Sequence, residues 1–129
     1  MNIVADTNTF IAVALNEPEK ETIIRLTGSS NLIAPETLPF EIGNALTALL
    51  KKKRLKKQEI VMAWEKIQRI PVELRRIGME MALDIAAEHH IYAYDAYFLE
   101  CAVRFHCPLL TLDRGMKQTA KMMNIPIVE

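Results

Sequence analysis

The apolar positions along the chain change period several times, and each change marks an element. Ile3-Val4-Ala5 is an unbroken apolar run that stops on Asp6, which predicts a short buried strand over residues 2–6. A helix over 8–15 follows. A second helix covers Glu19–Thr27, with Pro18 near its start and Gly28 just past its end. Leu32-Ile33-Ala34 reads as a strand closed by Pro35. Thr37 is placed to cap a long helix over 38–53, where Ile42, Leu46, Leu49 and Leu50 recur at helical spacing. The next helix spans Gln58–Arg69, with Ile60, Ala63, Trp64 and Ile67 as its inner face. Pro71-Val72-Glu73-Leu74 reads as a strand of less regular pattern. Helices over 79–89 and 94–106 come next. Leu109–Leu112 reads as a strand, Met116–Met123 as a helix and Pro126-Ile127-Val128 as a last short strand. Strands alternating with helices predict an α/β fold. We expect one domain over residues 1–129, with a mostly parallel central sheet of about five short strands flanked by helices.

Composition changes this picture little. The 129 residues suffice for one sizeable core, and 50% hydrophobic with 25% charged residues is ordinary for a globular protein. No apolar run approaches the ~20 residues that span a bilayer. The N-terminus lacks a basic segment followed by a long apolar one, so the expectation is a cytoplasmic protein with Cys101 and Cys107 as reduced thiols. Charge changes the picture more. The formal net charge is zero, yet Lys51-Lys52-Lys53-Arg54-Leu55-Lys56-Lys57 puts six cations into seven residues. A neutral total can hide a basic patch and an acidic pocket.

Ligands of open parallel sheets gather at the carboxyl ends of the strands. Asp6 ends the first expected strand and Asp113 follows the fourth, after Thr111. Either aspartate can also serve as a helix N-cap, worth about 1 kcal/mol. Glu41 lies one turn into the long helix and shares a face with Asn44. A surface glutamate favoured by the helix dipole is the alternative there, although its neighbours Phe40 and Ile42 are apolar. Asp95 shares a helical stripe with Phe98, Leu99 and Ala102, and a carboxylate on the core side needs partners or a cation. Together the four acids repel one another unless a cation neutralises them or some take up protons. Oxygen donors with no clustered His or Cys select Mg²⁺ or Mn²⁺ over zinc, and such a site suits hydrolysis at phosphorus.

Other residues carry weaker signals. Lys51, Lys52, Lys53 and Arg54 fit either RNA phosphates or a solvated helix end. Arg114 and Arg104 are alternative phosphate contacts. His89, His90 and His106 match no common zinc spacing with the cysteines. Met116, Met122 and Met123 read as core or interface filler.

Four short motifs in order resemble those of the PIN-domain nucleases, in particular the VapC-type toxins of toxin–antitoxin pairs. They are ADTN at 5–8, PFEIGNAL at 39–46, YDAYFLECA at 94–102 and LLTLDRGM at 109–116. The resemblance implies Asp6, Glu41, Asp95 and Asp113 as catalytic metal ligands. Thr7 or Asn8, Asn44 and Thr111 are the implied supporting side chains. It also implies a parallel sheet with helices on both sides, a Mg²⁺ or Mn²⁺ cofactor, an RNA substrate, a homodimer and an antitoxin partner covering the site. Two other readings stay open: a PIN-type RNA-processing nuclease without a dedicated antitoxin, and a protein-binding module that retains the acids.

Overall fold

The computed structural model describes residues 1–129. Four strands, β1 (Asn2–Ala5), β2 (Asn31–Pro35), β3 (Glu73–Arg75) and β4 (Leu109–Leu110), pair in the order β3-β2-β1-β4. Every pairing is parallel, with Val4 opposite Ile33 on one side and Leu109 on the other. Seven helices connect them: α1 (Thr7–Ala14), α2 (Lys20–Thr27), α3 (Leu38–Lys51), α4 (Lys57–Gln68), α5 (Met79–His89), α6 (Ala93–Arg104) and α7 (Arg114–Met122). The insert between the second and third strands is the α3–α4 pair.

Helices cover both faces of the sheet, which is why β1 is apolar at consecutive positions rather than alternating. Ile3 belongs to one buried cluster with Ala12, Ile23 and Leu110. Val4 belongs to the main core with Phe10, Ile33, Phe98 and Leu99. Most of the inner faces expected of α3 and α4 lie against this core: Ile42, Leu46, Ala63 and Ile67 are buried, with Leu49, Ile60 and Trp64 packed at its edge, but Leu50 is exposed because it lies one helical step beyond Leu49, off the buried stripe.

Several expected boundaries move, and local chemistry explains each. The fifth strand is reduced to a single parallel bridge between Ile127 and Leu109, so the sheet has four strands. The strand expected over 109–112 stops at Leu110, because the Thr111 hydroxyl bonds Asp6 and accepts from the Asp113 N–H. The helix after it starts at Arg114 rather than Met116, because Asp113 caps it. The strand expected at 71–74 is shifted to Glu73–Arg75, in register with Ile33–Pro35. The long helix ends at Lys51, not at 53: Lys53 has φ 59°, a left-handed conformation that breaks the helix, and half-buried Leu55 then packs on the core. Met116 is core, as expected, but Met122 is 72% exposed.

Candidate active site

Asp6 sits where β1 becomes α1. Its backbone is still extended (φ −84°, ψ 171°), and its Oδ1 caps α1 by accepting from the Thr9 N–H at 3.2 Å and the Thr9 hydroxyl at 2.8 Å. Its Oδ2 accepts from the Thr111 hydroxyl, across the β1–β4 pair. Asp6 therefore caps α1 with one oxygen and is tied to Thr111 by the other. The side chain is buried, and burial pushes its carboxyl up. The bonds from Thr111 and Thr9 pull it back, and the charge of Asp113 adds to the rise.

Glu41 stands in the first turn of α3. Its Oε2 accepts from the Thr37 hydroxyl at 2.7 Å, and its Oε1 lies 3.5 Å from the Thr7 hydroxyl. Thr37 occupies the cap position of α3 but gives no capping bond, because its backbone is already helical (φ −80°, ψ −5°), and its hydroxyl donates to Glu41 instead. Burial pushes Glu41 up to about 7, against the Thr37 bond and helped by the charges of Asp95 and Asp6. Asp95, in the first turn of α6, is half-buried; burial raises it first, then the charges of Asp113 and Asp6, with no hydrogen bond opposing them. Asp113 is exposed and uses Oδ1 to cap α7, accepting from the Gly115 N–H at 2.7 Å and the Met116 N–H at 3.3 Å.

The four carboxylates thus stand at the carboxyl edge of the sheet and feel one another's charge. No three His, Cys, Asp or Glu side chains close into a finished ligand cage. The donor set still fits a hard divalent cation. It is all oxygen, its negative charge is uncompensated, and Mg²⁺ usually keeps several waters and takes only one or two carboxylates. Asp6 and Glu41 are the two held by side-chain hydroxyls, those of three threonines and a fourth at longer range.

The supporting residues divide differently from the sequence expectation. Thr7 reaches Glu41 rather than Asp6. Thr111 joins Asp6 to the backbone of Asp113. Asn8 and Asn44 are exposed and hold none of the acids. The side chains that hold the acids in their place are Thr9 and Thr37. Thr9 was visible in principle, lying three residues after an aspartate, the N-cap spacing. Lys51, Lys52, Lys53 and Arg54 are exposed at the far end of α3, about 15 Å from Glu41 at helical rise. Arg114 is exposed beside Asp113. Arg104 is not a free phosphate contact: it is bound to buried Glu100 at 2.7 Å and lies over the Phe105 ring. Cys101 and Cys107 are buried free thiols, and burial pushes Cys101 up to about 12, which makes it unreactive.

The raised carboxyls make a pH prediction. The folded chain holds the Glu41 proton up to about 7, while an unfolded chain releases it near 4.5. Its contribution to stability is therefore full below 4.5 and is lost as pH rises through about 7. Asp6 and Asp95 act with the same sign. Glu41→Gln cannot ionise, so across this window it should lose less stability than wild type, by roughly 1–2 kcal/mol after solvent screening is allowed for. Thermal melts in chelator at stepped pH check this; parallel profiles for the two proteins would count against the raised carboxyl.

An all-parallel α/β sheet with acids gathered at its carboxyl edge is an arrangement suited to holding a hard cation. The chain belongs to the PIN-domain family, whose profile matches residues 3–122. Among curated proteins, none matches its sequence. Solved structures share the fold at low identity. PAE2754 from Pyrobaculum aerophilum superposes with a TM-score of 0.71 at 18% identity, over 92% of this chain and 79% of that one. VapBC2 from Rickettsia felis, bound to a DNA fragment from its promoter, gives 0.69 at 13% identity over 98% and 97%. FitAcB from Neisseria gonorrhoeae gives 0.65 at 16% identity over 98% and 96%.

Proposed function

We propose that the protein is a Mg²⁺- or Mn²⁺-dependent endoribonuclease and the toxin of a type II toxin–antitoxin pair. In this reading it acts in the cytoplasm as a single-domain subunit of a homodimer, restrained by a cognate antitoxin. The observation that carries the proposal is the group of Asp6, Glu41, Asp95 and Asp113 at one sheet edge, three of them with raised carboxyls. The likeness in fold to the VapBC2 and FitAcB assemblies supports the antitoxin partner.

A bound divalent cation would supply Lewis-acid stabilisation of charge on the phosphoryl group and shield the acids from the RNA backbone. The chain's own residues supply positioning. Thr9 and Thr111 fix the two oxygens of Asp6, and Thr37 fixes one oxygen of Glu41. Because Thr111 also accepts from the Asp113 N–H, it links Asp6 to the start of α7. The decisive assay incubates total RNA with the purified protein and Mg²⁺ or Mn²⁺, with and without any small protein encoded beside it. Cleavage should need added metal and stop with chelator or with that partner. RNA left intact under every metal condition would overturn the proposal.

The basic run makes a separate prediction. If Lys52 and Lys53 contact phosphates, replacing both by Gln should flatten the log–log salt dependence of single-stranded RNA binding by about 1.4 units. An unchanged slope returns the run to a solvated helix end.

A further inference from the structure

We infer that the cavity between α1 and α2 is a binding site for a small apolar molecule, an aromatic ring or branched alkyl group of about six to nine non-hydrogen atoms. The cavity holds about 150 Å³ and is walled by Phe10, Val13, Ile23, Ile24, Leu32 and Ile70. It lies at a seam. Phe10 belongs to the main core and Ile23 to the second buried cluster, and Leu32 packs on both without closing the space between them. Such a cavity forfeits dispersion contacts along its lining, and close-packed interiors keep few of them. It is not sealed, since Ile24 in its wall is 52% exposed. Thr27, Leu32 and Ile70 also line a polar recess of about 680 Å³ with Ser30, Asn31 and Glu73, at the amino ends of β2 and β3. A ligand can enter there and leave a polar end in the recess.

The chemistry of the wall makes water a poor occupant. Only Thr9 and Thr27 bring polar side chains to it. The Thr9 hydroxyl donates to Asp6 Oδ1 at 2.8 Å, with the Leu110 carbonyl at 3.4 Å. The Thr27 hydroxyl donates to the carbonyls of Ile23 at 2.9 Å and Ile24 at 3.2 Å. A buried water needs roughly two to four polar partners, and here it would meet spare lone pairs on two separate helices. Dry apolar cavities of this size take up benzene or xenon instead. No charged side chain lines the cavity, so it does not suit a phosphate, a nucleotide or a metal ion. The ligand is therefore neither the RNA nor the cation of the nuclease reading, and the inference stands apart from that reading.

The test titrates the full chain, without RNA or metal, with benzene and with benzyl alcohol, and follows methyl resonances by NMR. The methyls of Val13, Ile23, Ile24, Leu32 and Ile70 should shift and saturate together, with a dissociation constant of about 0.1–1 mM for a ligand this small. The two probes should compete, and glycerol, which is polar throughout, should shift nothing. Val13→Phe and Ile24→Phe should each fill the cavity and weaken binding at least about 10-fold. Ile24 is half exposed, so its variant serves even where Val13→Phe fails to fold. Met62→Phe, exposed on α4 and outside the lining, should bind as wild type does. Shifts that stay linear to the solubility limit, or that survive both filling substitutions, overturn the inference. Absence of binding by the wild type overturns it as well. If a partner protein is then released by Val13→Phe or Ile24→Phe, the cavity belongs to an apolar side chain of that partner.

Discussion

Asp6→Asn is expected to abolish RNA cleavage while leaving the metal-free protein as stable as before or slightly more so. The two outcomes separate because Asp6 does two things with two oxygens. Asparagine caps a helix about as well as aspartate, so the bonds from Thr9 to Oδ1 survive. The amide that replaces Oδ2 can donate to Thr111 in place of accepting from it. One negative charge leaves a site where Asp6, Glu41 and Asp95 all have raised carboxyls, which relieves repulsion. What is lost is the charge a cation needs. Weakening that site removes several kcal/mol of transition-state stabilisation, or roughly 100-fold or more in rate. It also shrinks metal-induced stabilisation, which for binding to the folded state alone is about 2.7 kcal/mol at a hundred times the dissociation constant. Paired melts with and without Mn²⁺, beside a cleavage assay, check both. Retained cleavage with an unchanged metal-induced shift would remove Asp6 from the site.

Arg104→Ala should have the largest effect on folding among single charge removals. Glu100 is 3% exposed, and its carboxylate rests on two partners, the Arg104 Nε at 2.7 Å and the Gly78 N–H at 3.0 Å. Removing the guanidinium strands a buried charge and strips a contact from the Phe105 ring. Breaking a buried pair costs about 3–5 kcal/mol. Because Arg104 is itself 38% exposed and water can partly replace it, about 2–3 kcal/mol is expected. That lowers the melting midpoint by roughly 10 °C. Glu100→Gln added to Arg104→Ala should recover part of the loss, since glutamine keeps an acceptor for the Gly78 N–H and carries no charge. Below the melting range, cleavage and the salt dependence of RNA binding should match wild type, because Arg104 ends a helix whose other end carries Asp95, about 13 Å away. A melt like the wild type's, or a flattened salt slope, would return Arg104 to the phosphate contacts.

The four acids were legible because each stands at a junction that local pattern reveals: an apolar run ending on Asp6, an apolar stripe holding Asp95, a strand signal before Asp113, and a glutamate among apolar residues at 41. The side chains that hold them were not. Thr111 and Asp6 are 105 residues apart and Thr7 and Glu41 are 34 apart, so no local rule connects them. Thr37 stands at a cap's position, yet its helical backbone gives no cap and its hydroxyl donates to a carboxylate one turn on. Glu100 was passed over for a related reason. An i, i+4 pair with Arg104 looks like surface decoration, and only the packing of α5 on α6 buries it.

By itself the sequence determined the alternation of strands and helices, because helix and strand periods, caps and breakers act over three or four residues and are written locally. It determined, too, that four carboxylates fall at element boundaries. Tertiary structure decided which boundaries meet. Parallel pairing of β1 with β2 and β4 sets Asp6 level with the ends of both neighbouring strands. That register brings Thr111 onto Asp6 and Glu41 within reach of Thr7. It also decided how strongly Asp6, Glu41 and Asp95 hold their protons. Desolvation and like charge are properties of a three-dimensional neighbourhood, and what raises Asp6, Glu41 and Asp95 most is burial that only the packed helices create.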